Sequence, residues 1–197
     1  KIINDRRASG EDKGDLMSML LLSKDEDGSG MTDRELHDEA MTLFIAGHET
    51  TALALTWALY LLAQNPSVVD KLTHELDTVL GARAATVNDL PALPYTEMVV
   101  KEALRMYPPA WVISRIAVEP VTVGDYHIDR DSLVLMSPYV MHHDERYFPE
   151  AERFFPERFS AESEKTLPKY AYFPFGGGPR VCIGNQFAMM EARLVLA

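Results

Sequence analysis

The most apolar stretch of the chain, Met41 to Ala63, sets the strongest constraint on its fold. Thr32-Asp33-Arg34-Glu35 lies upstream and reads as a capping box, with Thr32 accepting from the Glu35 backbone N–H and Glu35 reaching back to Thr32. Asn65-Pro66 lies downstream and stops a helix. One long helix over about 33–63 is therefore predicted. Its apolar run is long enough to cross a bilayer. Yet Gly47-His48-Glu49-Thr50-Thr51 sits inside it, and a carboxylate at mid-membrane is costly. A helix apolar nearly all round is read instead as the central helix of a large soluble protein.

Further elements follow from punctuation. Leu16 to Leu22 reads as a short helix, then an Asp/Glu/Gly loop at 24–30. Pro66 opens a helix that Gly81 closes, and another over about 94–106 stops at Pro108-Pro109. Short β-branched runs between 112 and 137, with Gly124-Asp125 as a turn, predict a small sheet with a hairpin. Residues 139–172 read as an irregular meander, and a structureless stretch that long is usually functional. A glycine-rich loop at 175–184 leads into a last helix over 185–197. The fold class is mainly α with a small β-sheet.

Composition narrows the function. Nineteen basic residues against 30 acidic ones give a net charge of −11, which argues against a nucleic-acid surface. The single cysteine excludes an internal disulfide framework, a multi-cysteine zinc site and an internal iron–sulfur cluster. The chain opens Lys1-Ile2-Ile3 without Met or an apolar leader, so it is expected to be a fragment without a signal peptide.

That cysteine lies in Phe175-Gly176-Gly177-Gly178-Pro179-Arg180-Val181-Cys182-Ile183-Gly184. Helix N–H groups and Arg180 place positive potential beside its sulfur. The glycines let backbone amides come close to a ligand. A thiolate suits haem iron. The bland alternative is a buried cysteine acting as a small hydrophobe. A phosphate loop is excluded, because no Gly-Lys-Ser/Thr ending follows. In Ala46-Gly47-His48-Glu49-Thr50-Thr51, an acid beside a hydroxyl inside an apolar helix needs a purpose, since burial of both is costly. The second His of a zinc-protease motif is missing. Glu102-x-x-Arg105 places both side chains on one helix face, but so does Glu150-x-x-Arg153, and either alone reads as an exposed salt bridge. His142 and His143 show no partner pattern and read as structural or surface residues.

Phe-x-x-Gly-x-Arg-x-Cys-x-Gly at 175–184 resembles the haem-binding signature of the cytochrome P-450 superfamily, the haem-thiolate monooxygenases. The resemblance runs from about Gly14 to Ala197 and implies the C-terminal haem-binding part of that fold, truncated at both ends. It implies haem b, iron protoporphyrin, with Cys182 as axial ligand. Arg180 would pair with a propionate, Phe175 would pack beside the sulfur, and Ala188 would lie under the porphyrin. Arg115 is similar by position to a second propionate contact. The motif at 46–51 is similar to the oxygen-activation site, in which Thr50 holds dioxygen, Glu49 relays protons and Ala46 faces the haem. Glu102, Arg105 and Arg158 resemble the structural network that ties the meander to the core. Ala110, Val112 and Ile113 fall where the family lines its substrate pocket.

The implied reaction of the parent protein is insertion of one oxygen atom of dioxygen into a small apolar organic substrate. Electrons would come from a partner protein such as a ferredoxin, flavodoxin or reductase. A haem-thiolate isomerase or dehydratase, a non-catalytic fragment and a cysteine hydrolase are the alternatives, and no motif supplies the His that the last requires. Family style implies a cytoplasmic protein. The 197 residues alone are expected to fold poorly or bind haem weakly.

Overall fold

The computed structural model describes residues 2–197, which divide into two compact units, 2–49 and Thr50–Ala197. The division falls within one continuous helix. In the first unit, α1 (Ile2–Ser9) and α2 (Leu16–Leu22) are joined by Arg6, whose guanidinium bonds the Asp15 carboxylate and the Ser18 hydroxyl. Asp15 caps α2 by accepting from the Ser18 N–H at 2.9 Å. The helix α3 (Asp33–Gln64) starts at the capping box: Glu35 accepts from the Thr32 N–H at 2.8 Å, and Thr32 accepts from the Glu35 N–H at 3.3 Å.

In the second unit, α3 continues to Gln64 and turns by 111° into α4 (Pro66–Val79). No single helix among the described residues is long and apolar enough to cross a membrane. A 3-10 turn (Val87–Ala92) precedes α5 (Pro94–Met106). Its N-cap, Leu93, has no side chain to offer the free N–H groups. Glu75 of α4 supplies the acceptor instead, taking the Tyr95 and Thr96 N–H groups at 2.6 and 2.8 Å. Four strands follow: β1 (Ile113–Ile116), β2 (Val121–Val123), β3 (Tyr126–Ile128) and β4 (Leu133–Met136). Then come α6 (Pro138–His142), a 3-10 turn (Pro156–Phe159), α7 (Ala161–Glu164) and α8 (Asn185–Leu196).

Three features differ from the sequence reading. The predicted single sheet is two antiparallel ladders, β1 with β4 and β2 with β3. Pattern identifies extended segments but not which edges meet, and the Gly124-Asp125 turn closes only the inner pair. The meander over 139–172 contains α6, α7 and a 3-10 turn, each too short to show a helical period. Most important, α3 is not covered throughout: its end packs into the core while its middle is open, and the more completely buried helix is α5. Eight of its positions are buried, among them Glu102 and Arg105. The middle of α3 is open, with Phe44 66% and Ile45 59% exposed. Apolar composition identifies a surface that gains from being covered and does not specify what covers it.

The core of the second unit is layered on α5. Ala58, Leu61 and Leu62 of α3 and Val68 and Leu72 of α4 pack with Val99, Ala103 and Met106. Val100 and Leu104 meet Ala192 of α8, with Phe175 packed against that group. Phe148, Ala151, Phe159 and Ala171 form a separate cluster within the meander.

Candidate functional site

The site begins with a charge pair inside the protein. Glu102 and Arg105 are three residues apart on α5, and both side chains are 0% exposed. Arg105 Nε and Nη2 donate to the two Glu102 carboxylate oxygens at 2.7 and 2.9 Å, a bidentate fork. The remaining guanidinium protons reach the meander. Nη1 donates to the His142 carbonyl and Nη2 to the Ala151 carbonyl, each at 2.8 Å. Glu102 Oε1 also accepts the Phe155 N–H at 3.0 Å and lies 3.4 Å from Arg158 Nε. Arg158 donates in turn to the Pro149 and Glu150 carbonyls. Burial holds the Arg158 guanidinium below its usual range and outweighs the Glu102 charge beside it. Glu102, Arg105 and Arg158 thus fasten backbone from 142 to 158 onto α5. The pair at Glu150 and Arg153, with identical spacing, is 68% and 59% exposed.

The cysteine loop is fixed by its own backbone. The Cys182 N–H donates to the Phe175 carbonyl at 2.9 Å, which brings the two ends of the loop together. Gly176 has φ +76° and its N–H meets the Phe173 carbonyl at 2.9 Å. A side chain there would press on Ile113 Cδ1, so the strand segment and the loop are in close approach. At Gly177 a Cβ would lie 2.7 Å from the Tyr170 ring. Arg180 closes a short 3-10 turn (Gly178–Arg180) and is exposed. Cys182 is a free, exposed thiol just ahead of α8, whose N-cap is Gly184. Val181 and Ile183, on either side of it, are exposed too, Ile183 by 92%. Ala188 lies in the first turn of α8 and is half-buried.

The other sequence candidates are placed as follows. In the first unit, Ala46 and Glu49 are exposed on α3; in the second, Thr50 is exposed on the same helix. The sequence reading buried the acid and the hydroxyl at a cost; among the described residues both positions are exposed. Arg115 is exposed on β1, and its Nη1 donates to the Ser114 carbonyl at 2.7 Å. Ala110 is exposed, whereas Val112 and Ile113 are half-buried. Two shallow hollows, one at Leu16, Leu20 and Phe44 and one at Tyr60, Asn65 and Tyr107, include none of the predicted site residues.

His142, read from the sequence as structural or surface, is structural, and its partners are what the sequence pattern did not show. It is fully buried, and Nδ1 lies 3.2 Å from the Arg105 carbonyl while Nε2 accepts the Phe173 N–H at 2.9 Å. Burial pushes its pKa down to about 3. The signal was available in Pro108-Pro109. An α-helical carbonyl accepts from the N–H four residues on. The carbonyls of Leu104 and Arg105 face prolines, which have no N–H to give.

The second unit thus locks a meander to one buried helix and presents a lone thiol ahead of α8. The protein is similar to the haem domain of cytochrome P450DA, with a TM-score of 0.94 at 33% identity over 99% of this chain and 44% of that one. The family model for cytochrome P-450 matches residues 1–197, and the chain belongs to that family. It is 46% identical to cyclooctatin synthase of Streptomyces melanosporofaciens, over 100% of this chain and 43% of the relative. With pentalenene oxygenase of Streptomyces avermitilis the identity is 39%, over 100% of this chain and 44% of the relative. The chain therefore spans less than half the length of the curated relatives it matches.

Proposed function

We propose that this chain is the haem-ligating part of a monooxygenase that inserts one oxygen atom of dioxygen into an apolar organic substrate. The observation that carries the reading is the cysteine loop: a free thiol held outward by the bond from the Cys182 N–H to the Phe175 carbonyl. The residues present fit a haem. The thiol belongs to the single cysteine of the chain and is a soft donor, and the exposed apolar side chains of Val181 and Ile183 flank it. Arg180 supplies an exposed cation on the same loop for a propionate.

In this reading Cys182 Sγ would hold haem b, which when bound would supply the redox chemistry that activates dioxygen. The protein's part is to hold, orient and manage protons. Cys182, as the thiolate, would be the ligand that tunes that chemistry. Arg180 and Arg115 would hold the propionates, Phe175 would pack beside the sulfur, and Ala46 and Ala188 would leave room for the ring. The Glu49 carboxylate and Thr50 Oγ1, neighbours on α3, hold and pass the two protons that the reaction consumes. Two electrons from a ferredoxin, flavodoxin or reductase complete the balance: one oxygen atom enters a C–H bond and the other leaves as water. Ala110, Val112 and Ile113 are small or aliphatic, in keeping with an apolar substrate. The names of two relatives specify oxygenation of that general kind, pentalenene oxygenase and cyclooctat-9-en-7-ol 5-monooxygenase.

The test is the carbon monoxide complex of the reduced, haem-loaded protein. A strongly red-shifted Soret band that disappears in Cys182→Ser is expected. Persistence of that band in the variant would overturn the assignment.

A further inference from the structure

We infer that His142 is a positioning residue for the cysteine loop, transmitting the fixed geometry of the buried Glu102–Arg105 pair to the Cys182 backbone. This rests on the reading that Cys182 ligates haem. The starting point is an unmet requirement of α5. Its Arg105 carbonyl cannot pair along the helix, because residue 109 is proline. The ring of His142 fills the vacancy with Nδ1 at 3.2 Å. The exchange is reciprocal, since Arg105 Nη1 donates to the His142 carbonyl at 2.8 Å. Each residue therefore holds the other's backbone by its side chain, at 0% exposure for both.

The far side of the ring points to the other segment. Nε2 accepts the Phe173 N–H at 2.9 Å. The Phe173 carbonyl accepts the Gly176 N–H at 2.9 Å, and the Phe175 carbonyl accepts the Cys182 N–H at 2.9 Å. Each link in this series is a hydrogen bond of normal length, and together they run from α5 to the cysteine. Aromatic rings wall the imidazole on several sides: Tyr172 with centroids at 5.1 Å, Phe173 at 5.5 Å and Phe148 at 6.2 Å.

Donor and acceptor roles are also fixed. A carbonyl on Nδ1 requires a proton there, and an N–H on Nε2 requires a lone pair there. Only the neutral ring protonated at Nδ1 satisfies both. Protonation of Nε2 would set two donors against each other, in agreement with a ring that burial keeps neutral. His143 next to it is half-buried and has its Nδ1 against the Tyr139 carbonyl, so the roles of the two histidines are not interchangeable.

The experiment uses the complete haem-loaded protein and three variants, His142→Phe, His142→Gln and His142→Asn. Gln reaches the Nε2 position and keeps an acceptor for Phe173; Asn reaches the Nδ1 position and keeps a donor for Arg105. A loop-positioning role predicts that His142→Gln retains most of the red-shifted carbon monoxide band, whereas Asn and Phe shift most of it to the form without thiolate. The Phe173 amide should exchange about tenfold faster in the Asn and Phe variants than in the wild type. Retention of the band in Asn with loss in Gln would overturn the inference, and so would equal spectra in all three. Should the variants not fold, nitrogen shifts of His142 in the diamagnetic carbon monoxide form of the wild type decide instead. A proton on Nδ1 supports the inference, and a proton on Nε2 refutes it. A wild type with no red-shifted band would refute the haem-thiolate reading itself, an outcome distinct from any of these.

Discussion

Removal of the Arg105 guanidinium is the perturbation for which the structure gives the largest effect. In Arg105→Ala the Glu102 carboxylate stays at 0% exposure with only the Phe155 N–H at 3.0 Å and Arg158 Nε at 3.4 Å. Breaking a buried pair from one side costs about 3–5 kcal/mol. The His142 and Ala151 carbonyls lose their donors as well, at about 1–3 kcal/mol for each group left unpaired. These terms overlap, because water entering the space meets several of them together, so about 5 kcal/mol is the working figure. That approaches the whole stability of a small protein, roughly 5–15 kcal/mol. With a urea slope of about 2 kcal/mol per molar, the midpoint should fall by about 2 M or more. The assay is urea denaturation of the complete protein, followed by far-UV circular dichroism and by the carbon monoxide band. Arg105→Lys should lie between, since an ammonium cannot span the Glu102 fork and two carbonyls together. Arg153→Ala is the control: its exposed pair with Glu150 and its place over the Phe155 ring are worth under about 1 kcal/mol. A midpoint for Arg105→Ala within about 0.5 M of wild type would refute this account of the network.

Two further outcomes follow from the same unit. Glu75→Ala leaves the Tyr95 and Thr96 N–H groups at the head of α5 without their acceptor, and a loss of about 1–2 kcal/mol in the same denaturation assay is expected; an unchanged midpoint would count against a capping role. Stability should also fall with pH. His142 has its pKa pushed from 6.5 to about 3 by burial, so between those values the unfolded chain binds one more proton than the folded one. The stabilisation is complete above about pH 6.5 and is lost as pH drops, by about 2 kcal/mol between pH 6.5 and pH 5. His142→Gln should lack that component, and equal slopes in the two proteins over this window would show that His142 is not its source.

The sequence alone was informative wherever a feature depends on near neighbours. The Thr32–Glu35 box, the proline stops at Pro66 and Pro108, and the turn at Gly124-Asp125 are local rules, and each marks a boundary in the structure. The spacing of Phe175, Arg180, Cys182 and Gly184 is likewise local, so the family was legible from it before any coordinate. Tertiary structure decided what local rules cannot see. Glu102-x-x-Arg105 and Glu150-x-x-Arg153 have the same pattern, yet one pair is fully buried and the other is exposed. The difference arises from the backbone of residues 142–158, which folds over α5 and offers carbonyls to Arg105. For the same reason α5, less apolar on average than α3, is buried at eight positions, whereas α3 joins this core chiefly near its end, through Ala58, Leu61 and Leu62. His142 was read as a residue without a partner because its partners lie 37 and 31 positions away. Hydrogen bonds that link such distant positions exist only after the chain has closed, and they connect the legible cysteine motif to the helix that holds it in place.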